Sequence, residues 1–220
     1  QYGIYLLTNS ETTWYASNNA AVKKLAGTGG IRKVVIHDGH QGPKEIGCSP
    51  EFLAWLTDPV KNGGGALTDF GCYGANLMTW LMKGKSPVAV RAVTKQIKPN
   101  MYPNVDDDAT ILIEYEDATG IVEASWNWPF GIKDLEVFGT TGYLHAVDGN
   151  TLRQRKKDTY DAVTIKPPAY KHNIKYFADV LNGKIVPTND LSSLENNLIV
   201  VKILEAARES AREGKRVIIK

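Results

Sequence analysis

The sequence predicts an α+β domain, a mostly antiparallel open sheet of about six or more strands with helices on one face. Three observations carry this. Apolar positions at helical spacing mark residues 66–84 and 171–213, a period of two marks residues 88–154, and Gly, Asn or Asp turn residues divide the second region at hairpin-like intervals. Helices, then a run of strands, then helices is the order expected when helices gather on one side of a sheet.

In chain order, residues 2–7 form an apolar, strand-like run already in progress, with no Met and no signal-peptide pattern before it. The expectation is one domain over residues 1–220, residues 1–10 being a remnant strand of, or link from, a preceding domain. Ser17 or Asn18 is placed to cap a short helix reaching Leu25, and Gly27-Thr28-Gly29-Gly30 ends it. Residues 32–37 alternate with a β-branched bias and predict a strand, followed by a loop over residues 37–43. Ser49-Pro50-Glu51 opens a short helix to Leu56, with Pro in its first turn, and Asp58-Pro59 breaks it. One helix then carries Phe70, Tyr73, Leu77 and Leu81 at helical spacing and stops at Gly84.

From there the pattern predicts an antiparallel meander of strands at 88–96, 109–115, 121–128, 132–138, 143–147 and 151–154. Alternation puts Val122, Ala124, Trp126 and Trp128 on one face and Glu123, Ser125 and Asn127 on the other. Two helices follow at 171–181 and 191–213, the second with Leu194, Leu198, Val201, Leu204 and Ala207 on one face. Gly214 caps it, and residues 217–219 form a last strand. If helices cover one face of the sheet, the other is available to a second copy of the chain.

With 220 residues, 43% of them hydrophobic, the chain can bury one sizeable core. A net charge of +2 argues against nucleic acid as the main partner, and no apolar run approaches the roughly 20 residues of a membrane-spanning helix. Cys48 and Cys72 are too few for a disulfide scaffold and are expected to be reduced. Arg153, Arg155, Lys156 and Lys157 predict a solvated basic hairpin.

The stretch Asn62-Gly63-Gly64-Gly65-Ala66-Leu67-Thr68-Asp69-Phe70-Gly71-Cys72-Tyr73-Gly74-Ala75-Asn76 is the candidate chemical element. An acid and a phenol four residues apart share one helical face and can handle one proton on one ligand. Plainer roles compete: Asp69 can complement a helix N-terminus, and Tyr73 can continue the apolar stripe from Phe70. His37 and His40 flank Asp38, but His-x-x-His at a strand end turns its rings apart and no third ligand has a recognisable spacing, so no metal is expected. His40, in a Gly-rich loop, is better placed to contact a substrate hydroxyl. Asp106-Asp107-Asp108 predicts a turn and strand entry, and Trp55, Trp126 and Trp128 core or interface packing.

Three motifs in order carry a family resemblance: the stretch from Asn62 to Asn76, Val105-Asp106-Asp107-Asp108-Ala109 opening a strand, and Phe138-Gly139-Thr140-Thr141-Gly142-Tyr143 between two strands. With the closing Ala206-Ala207-Arg208-Glu209-Ser210-Ala211, the chain resembles the C-terminal domain of the glucose–fructose oxidoreductase / inositol dehydrogenase / rhizopine catabolism (Gfo/Idh/MocA) family over nearly its whole length. The resemblance implies a substrate-binding and oligomerisation domain that follows a nucleotide-binding Rossmann domain. It implies an NAD or NADP in the parent protein that exchanges hydride with a sugar, polyol or related carbinol, and Asp69 and Tyr73 as catalytic groups. It further implies Asn62, Trp14 and Asn9 as substrate contacts and Gly64 and Gly65 as points of close approach to the cofactor.

The family's Glu-Lys-Pro motif and a Gly-x-Gly-x-x-Gly between strand and helix are both missing here, so the Rossmann domain is expected to lie outside this chain. Tyr73 alone is a poor base near neutral pH unless a cation depresses its pKa. The isolated chain is therefore expected to be inactive and to bind no dinucleotide tightly. A stand-alone carbohydrate-binding or scaffold module, or part of an NAD-dependent glycosidase of the same family, are the alternatives. Nothing in these residues addresses the compartment, for which the cytoplasm is the default expectation.

Overall fold

The structure is a computed structural model that describes residues 5–219. The strand-like run at 2–7 lies partly outside the described residues, and its remainder, residues 5–7, forms no strand. A 3-10 turn (Glu11–Trp14) leads to α1 (Ala16–Lys24), a second 3-10 turn (Leu25–Gly27) and β1 (Ile31–Gly39). Then come α2 (Pro50–Leu56), α3 (Ala66–Asp69), α4 (Gly71–Leu81), β2 (Ala89–Lys95), β3 (Asp108–Glu114) and β4 (Thr119–Ser125). β5 (Ile132–Gly139), β6 (Tyr143–Ala146), β7 (Leu152–Arg155), β8 (Asp161–Val163), α5 (Asn173–Leu181), α6 (Leu194–Glu213) and β9 (Val217–Ile218) complete the order.

The strands form one open sheet of nine in the order β8-β7-β6-β5-β1-β4-β3-β2-β9. The α+β expectation holds, but the meander is interrupted. β1 is inserted between β4 and β5, parallel to the first and antiparallel to the second. Residues 126–131 therefore pass across the end of β1, a span of roughly two strand spacings or 10 Å. Local turn signals carry no trace of such a distant insertion.

One face of the sheet makes the core. Val34, Ile36, Val122, Ala124, Leu135, Val137, Leu144 and Ala146 are buried there beneath Ala75, Leu77 and Met78 of α4 and Val200, Ile203 and Ala207 of α6. Gly74 lets α4 come down on β4, because a Cβ at that position would overlap the side chain of Val122. On the opposite face Val35, His37, Leu112, Ile121, Glu123, Asp134 and Glu136 are all at least partly exposed. Among the described residues no helix is long and apolar enough to cross a membrane.

Four local expectations are corrected. Neither Ser17 nor Asn18 caps α1: the Ser17 hydroxyl donates to the Asp148 carbonyl at 2.5 Å and the Asn18 amide to the Thr12 carbonyl at 3.1 Å. The helix expected after the glycines is two helices, α3 and α4, hinged at Phe70. Trp128 does not share the face of Trp126, since β4 ends at Ser125 and the Trp128 ring meets His37 of the open face at 6.2 Å.

α6 is also rolled from its expected orientation. Leu198 and Val201 are 55% and 56% exposed, while Val200, Ile203, Ala207 and Ser210 point inward. The roll is set by polar anchors that outweigh the apolar stripe. The Ala92 amide donates to Ser210 Oγ at 2.9 Å, and Asn76 Nδ2 donates to the Leu191 carbonyl at 2.8 Å and Asn197 Oδ1 at 3.0 Å. A buried donor left without these acceptors would cost ~1–3 kcal/mol.

Candidate active site

The glycine-led segment is fixed by Asp106 at the entry to β3. Its carboxylate accepts from Gly65 N at 3.0 Å and Leu67 N at 2.7 Å, a capping arrangement at the start of α3. A Cβ at Gly65 would overlap the Asp106 carbonyl, and one at Gly64 would crowd Thr68 Oγ1 at 2.6 Å. Asn62 spends its amide on the Leu56 and Gly64 carbonyls, at 3.0 and 2.9 Å. The close approach that Gly65 serves is thus to this chain's own acid, and Asn62 shapes the loop. The Gly65 and Leu67 amides, which could otherwise receive a phosphate, are already occupied by a carboxylate.

The hinge at Phe70 aims α4 over the C-terminal end of β1. There Asp69 Oδ2 accepts from the indole N–H of the buried Trp126 at 2.9 Å. Beside it Asp38 and Lys133 are register partners across β1 and β5 on the helix-covered face. Lys133 Nζ lies 3.6 Å from Asp38 Oδ1, 2.5 Å from Glu11 Oε2, and 5.0 and 5.4 Å from the ring centres of Tyr73 and Phe70. His40 packs edge-on against Phe70 with centroids 4.8 Å apart. Its Nδ1 accepts from Gly42 N at 2.9 Å, which leaves the neutral ring's proton on Nε2 as a donor.

Asp38 is the anomaly of the cluster. It is 1% exposed, and among the described residues neither carboxylate oxygen has a hydrogen-bond partner, the Lys133 ammonium lying at ion-pair distance, 3.6 Å. Burial pushes its pKa up to about 8 against the pull of Lys133, and Glu11 and Asp69 add to the rise. Asp69 is also raised, by burial, with the Trp126 bond and Lys133 opposing. Burial works against the charge on Lys133, but Asp38 and Glu11 outweigh it and hold the amine above its ordinary value. Burial raises Tyr73 too, helped by Cys72, Asp69 and Asp38, so the nearby ammonium does not make it a base. Burial and Lys133 both lower His40.

The cluster therefore gathers two buried acids whose pKa values are raised, a phenol, an imidazole donor and an ammonium. Such alternating donors and acceptors suit a compact polyhydroxylated molecule better than a single ion.

Of the residues expected from sequence, the structure brings Asp69, Tyr73 and His40 together. Trp14 and Asn9 sit apart: the indole donates to Asn9 Oδ1 at 2.9 Å and stacks near Tyr176 at 5.6 Å, in a cleft of about 230 Å³ between residues 5–9 and α5. Trp14 shares its 3-10 turn with Glu11, which pairs with Lys133 of the cluster. Sequence reasoning missed Asp38, Lys133 and Glu11. Asp38 lay between the two histidines considered for metal, and an acid at an otherwise apolar position of a buried strand was the available signal. Cys48 and Cys72 are free thiols, and Asp106 and Asp107 each bind backbone amides as their strand-entry role implies.

The fold is that of an oxidoreductase C-terminal domain. The chain belongs to the Gfo/Idh/MocA family, whose C-terminal-domain sequence model matches residues 20–145. No curated protein matches its sequence. Among solved structures it is similar to aldose-aldose oxidoreductase from Caulobacter crescentus complexed with glycerol, at 23% identity and a TM-score of 0.76 over 98% of this chain and 64% of that one. GenD2 from gentamicin A biosynthesis, in complex with NAD, is 26% identical with a TM-score of 0.73 over 98% of this chain and 64% of its own. An inositol dehydrogenase homolog from Azotobacter vinelandii, complexed with NAD+, is 17% identical with a TM-score of 0.73 over 96% of this chain and 65% of its own. The chain thus spans just under two thirds of the length of each.

Proposed function

We propose that this chain is the substrate-holding part of an NAD(P)-dependent oxidoreductase acting on a sugar, polyol or related carbinol. The observation that carries the proposal is Asp38, a buried carboxyl group that makes no hydrogen bond among the described residues and has Lys133 at ion-pair distance, 3.6 Å, near Asp69 and Tyr73. An unsatisfied buried acid costs the fold ~1–3 kcal/mol, and a ligand hydroxyl is the group that would satisfy it. The similar structures hold glycerol in one case and NAD in others, which supports the substrate class and the cofactor of the parent protein.

In this scheme Asp69 accepts from a substrate hydroxyl, the protonated carboxyl of Asp38 donates to another, and Tyr73 and His40 Nε2 donate to the rest. Lys133 holds developing negative charge on the carbinol oxygen, where a fixed ammonium is most effective in a water-poor site. NAD(P) is received by a nucleotide-binding domain of the parent protein and not by residues 5–219. Trp14 and Asn9 form the outer wall toward that domain. The open face of the sheet, with Val35, Leu112 and Ile121 among polar neighbours, pairs with a second copy of the chain.

The chain itself permits a test. Titration with myo-inositol or glycerol, followed by the NMR signals of the Asp38 carboxyl and the Lys133 amine, should show saturable shifts at both, lost in Lys133→Met. Shifts elsewhere only, or shifts that survive Lys133→Met, would contradict the proposal.

A further inference from the structure

The open face, the same side proposed above to meet a second copy of the chain, carries a second cluster, separate from the Asp38 site. His37 on β1 and Asp134 and Glu136 on β5 each offer one ligand atom, and these atoms all lie within 4.8 Å of one another. His37 and Asp134 are register partners, with Nδ1 and Oδ1 2.6 Å apart. Asp134 Oδ2 lies 3.1 Å from Nε2 of His145 on β6, and Glu136 Oε2 accepts from the Tyr143 hydroxyl at 2.6 Å. Each carboxylate therefore has one oxygen held by an outer partner, which fixes its plane; the second oxygen of Asp134 meets His37 Nδ1, a bond that an ion seated between them would replace.

We infer that His37, Asp134 and Glu136 form a binding site for a divalent transition-metal ion such as Zn²⁺, with His145 and Tyr143 orienting the two carboxylates. One imidazole and two carboxylates are a donor set such ions accept, with water completing the shell. Bonds of roughly 2.1 Å would bring tetrahedral ligand atoms about 3.4 Å apart, so the cluster closes with side-chain adjustment of about an ångström. Neighbours that hold one carboxylate oxygen are the usual support of a ligating acid.

Charge points the same way. Glu123 faces His37 from β4, so three carboxylates surround that imidazole, while Arg153 sits opposite His145 at the outer edge. A cation at the centre would offset three carboxylates that otherwise share the rings of His37 and His145. The ligand set is unrelated to the His-x-x-His spacing: His40 lies against Phe70 at the other site.

The test uses the tag-free chain after chelator treatment. Co²⁺ titration read by visible absorption, with Zn²⁺ competition, should show one ion per chain. Affinity should fall at least ~10-fold in His37→Ala and in Glu136→Gln, each checked for folding by circular dichroism. His172→Ala, which removes a histidine outside the cluster, should bind as the parent chain does. Absence of binding below ~1 mM, or binding unchanged in both cluster variants, overturns the assignment. Neither result bears on polyol binding at Asp38, whose residues are untouched.

Discussion

Asp38 makes the cluster testable at the scale of one side chain. Its carboxyl stays protonated in the native state up to about pH 8, whereas in the unfolded chain it ionises near its ordinary value of 3.8. Between those values the native state binds the extra proton, so its contribution to stability falls as pH rises and levels off above about 8. Asp38→Asn, which keeps the shape and removes the ionisation, should therefore gain on the parent chain between about pH 5 and 8 and run parallel above that. Denaturant melts at successive pH values measure this, and a constant difference would mean that Asp38 is paired or hydrated. Asp69 and Tyr73 stood out in the sequence because the glycine-led motif is local, although the one helix expected to carry both is broken at Phe70. The Asp38–Lys133 pair was not, because it exists only once β1 is inserted beside β5, a pairing between distant segments that no local period records.

At the scale of elements, the glycine-led turn is held by contacts that make definite demands. Gly65→Ala would force its methyl into the Asp106 carbonyl and should destabilise the chain by ~2–4 kcal/mol, while Asp106→Ala should cost ~1–2 kcal/mol through loss of the two amide bonds at α3. Thermal melts check both. Tolerance of alanine at Gly65 would show that the turn can move off Asp106 and would reopen that approach to an outside ligand. The existence and approximate limits of most strands and helices could be read from period and turn residues. The break at Phe70, the roll of α6 and the final face of Trp128 could not, because each depends on a tertiary anchor: Trp126 on Asp69, Ser210 on the Ala92 amide, and the His37 ring.

For the whole molecule, the sheet has a covered side that carries the core and an open side with polar and apolar groups interspersed. If that side pairs two copies, Ile121→Arg should shift light scattering from dimer to monomer at micromolar concentration while the melting temperature of the monomer is kept. A parent chain that is already monomeric would remove the pairing proposal. Because the amides at the start of α3 are filled by Asp106, the isolated chain mixed with NAD+ or NADP+ and a polyol panel should show no turnover, and robust turnover would mean that these residues hold the cofactor after all. The most direct measurement is steady-state NAD(P)+ reduction by the full-length protein over a panel of sugars and polyols, comparing the parent with Tyr73→Phe and Asp69→Asn. The account predicts kcat lower by ~100-fold or more in both variants with melting temperatures nearly preserved. Turnover unchanged in both folded variants would contradict it and return Asp69 and Tyr73 to the structural core.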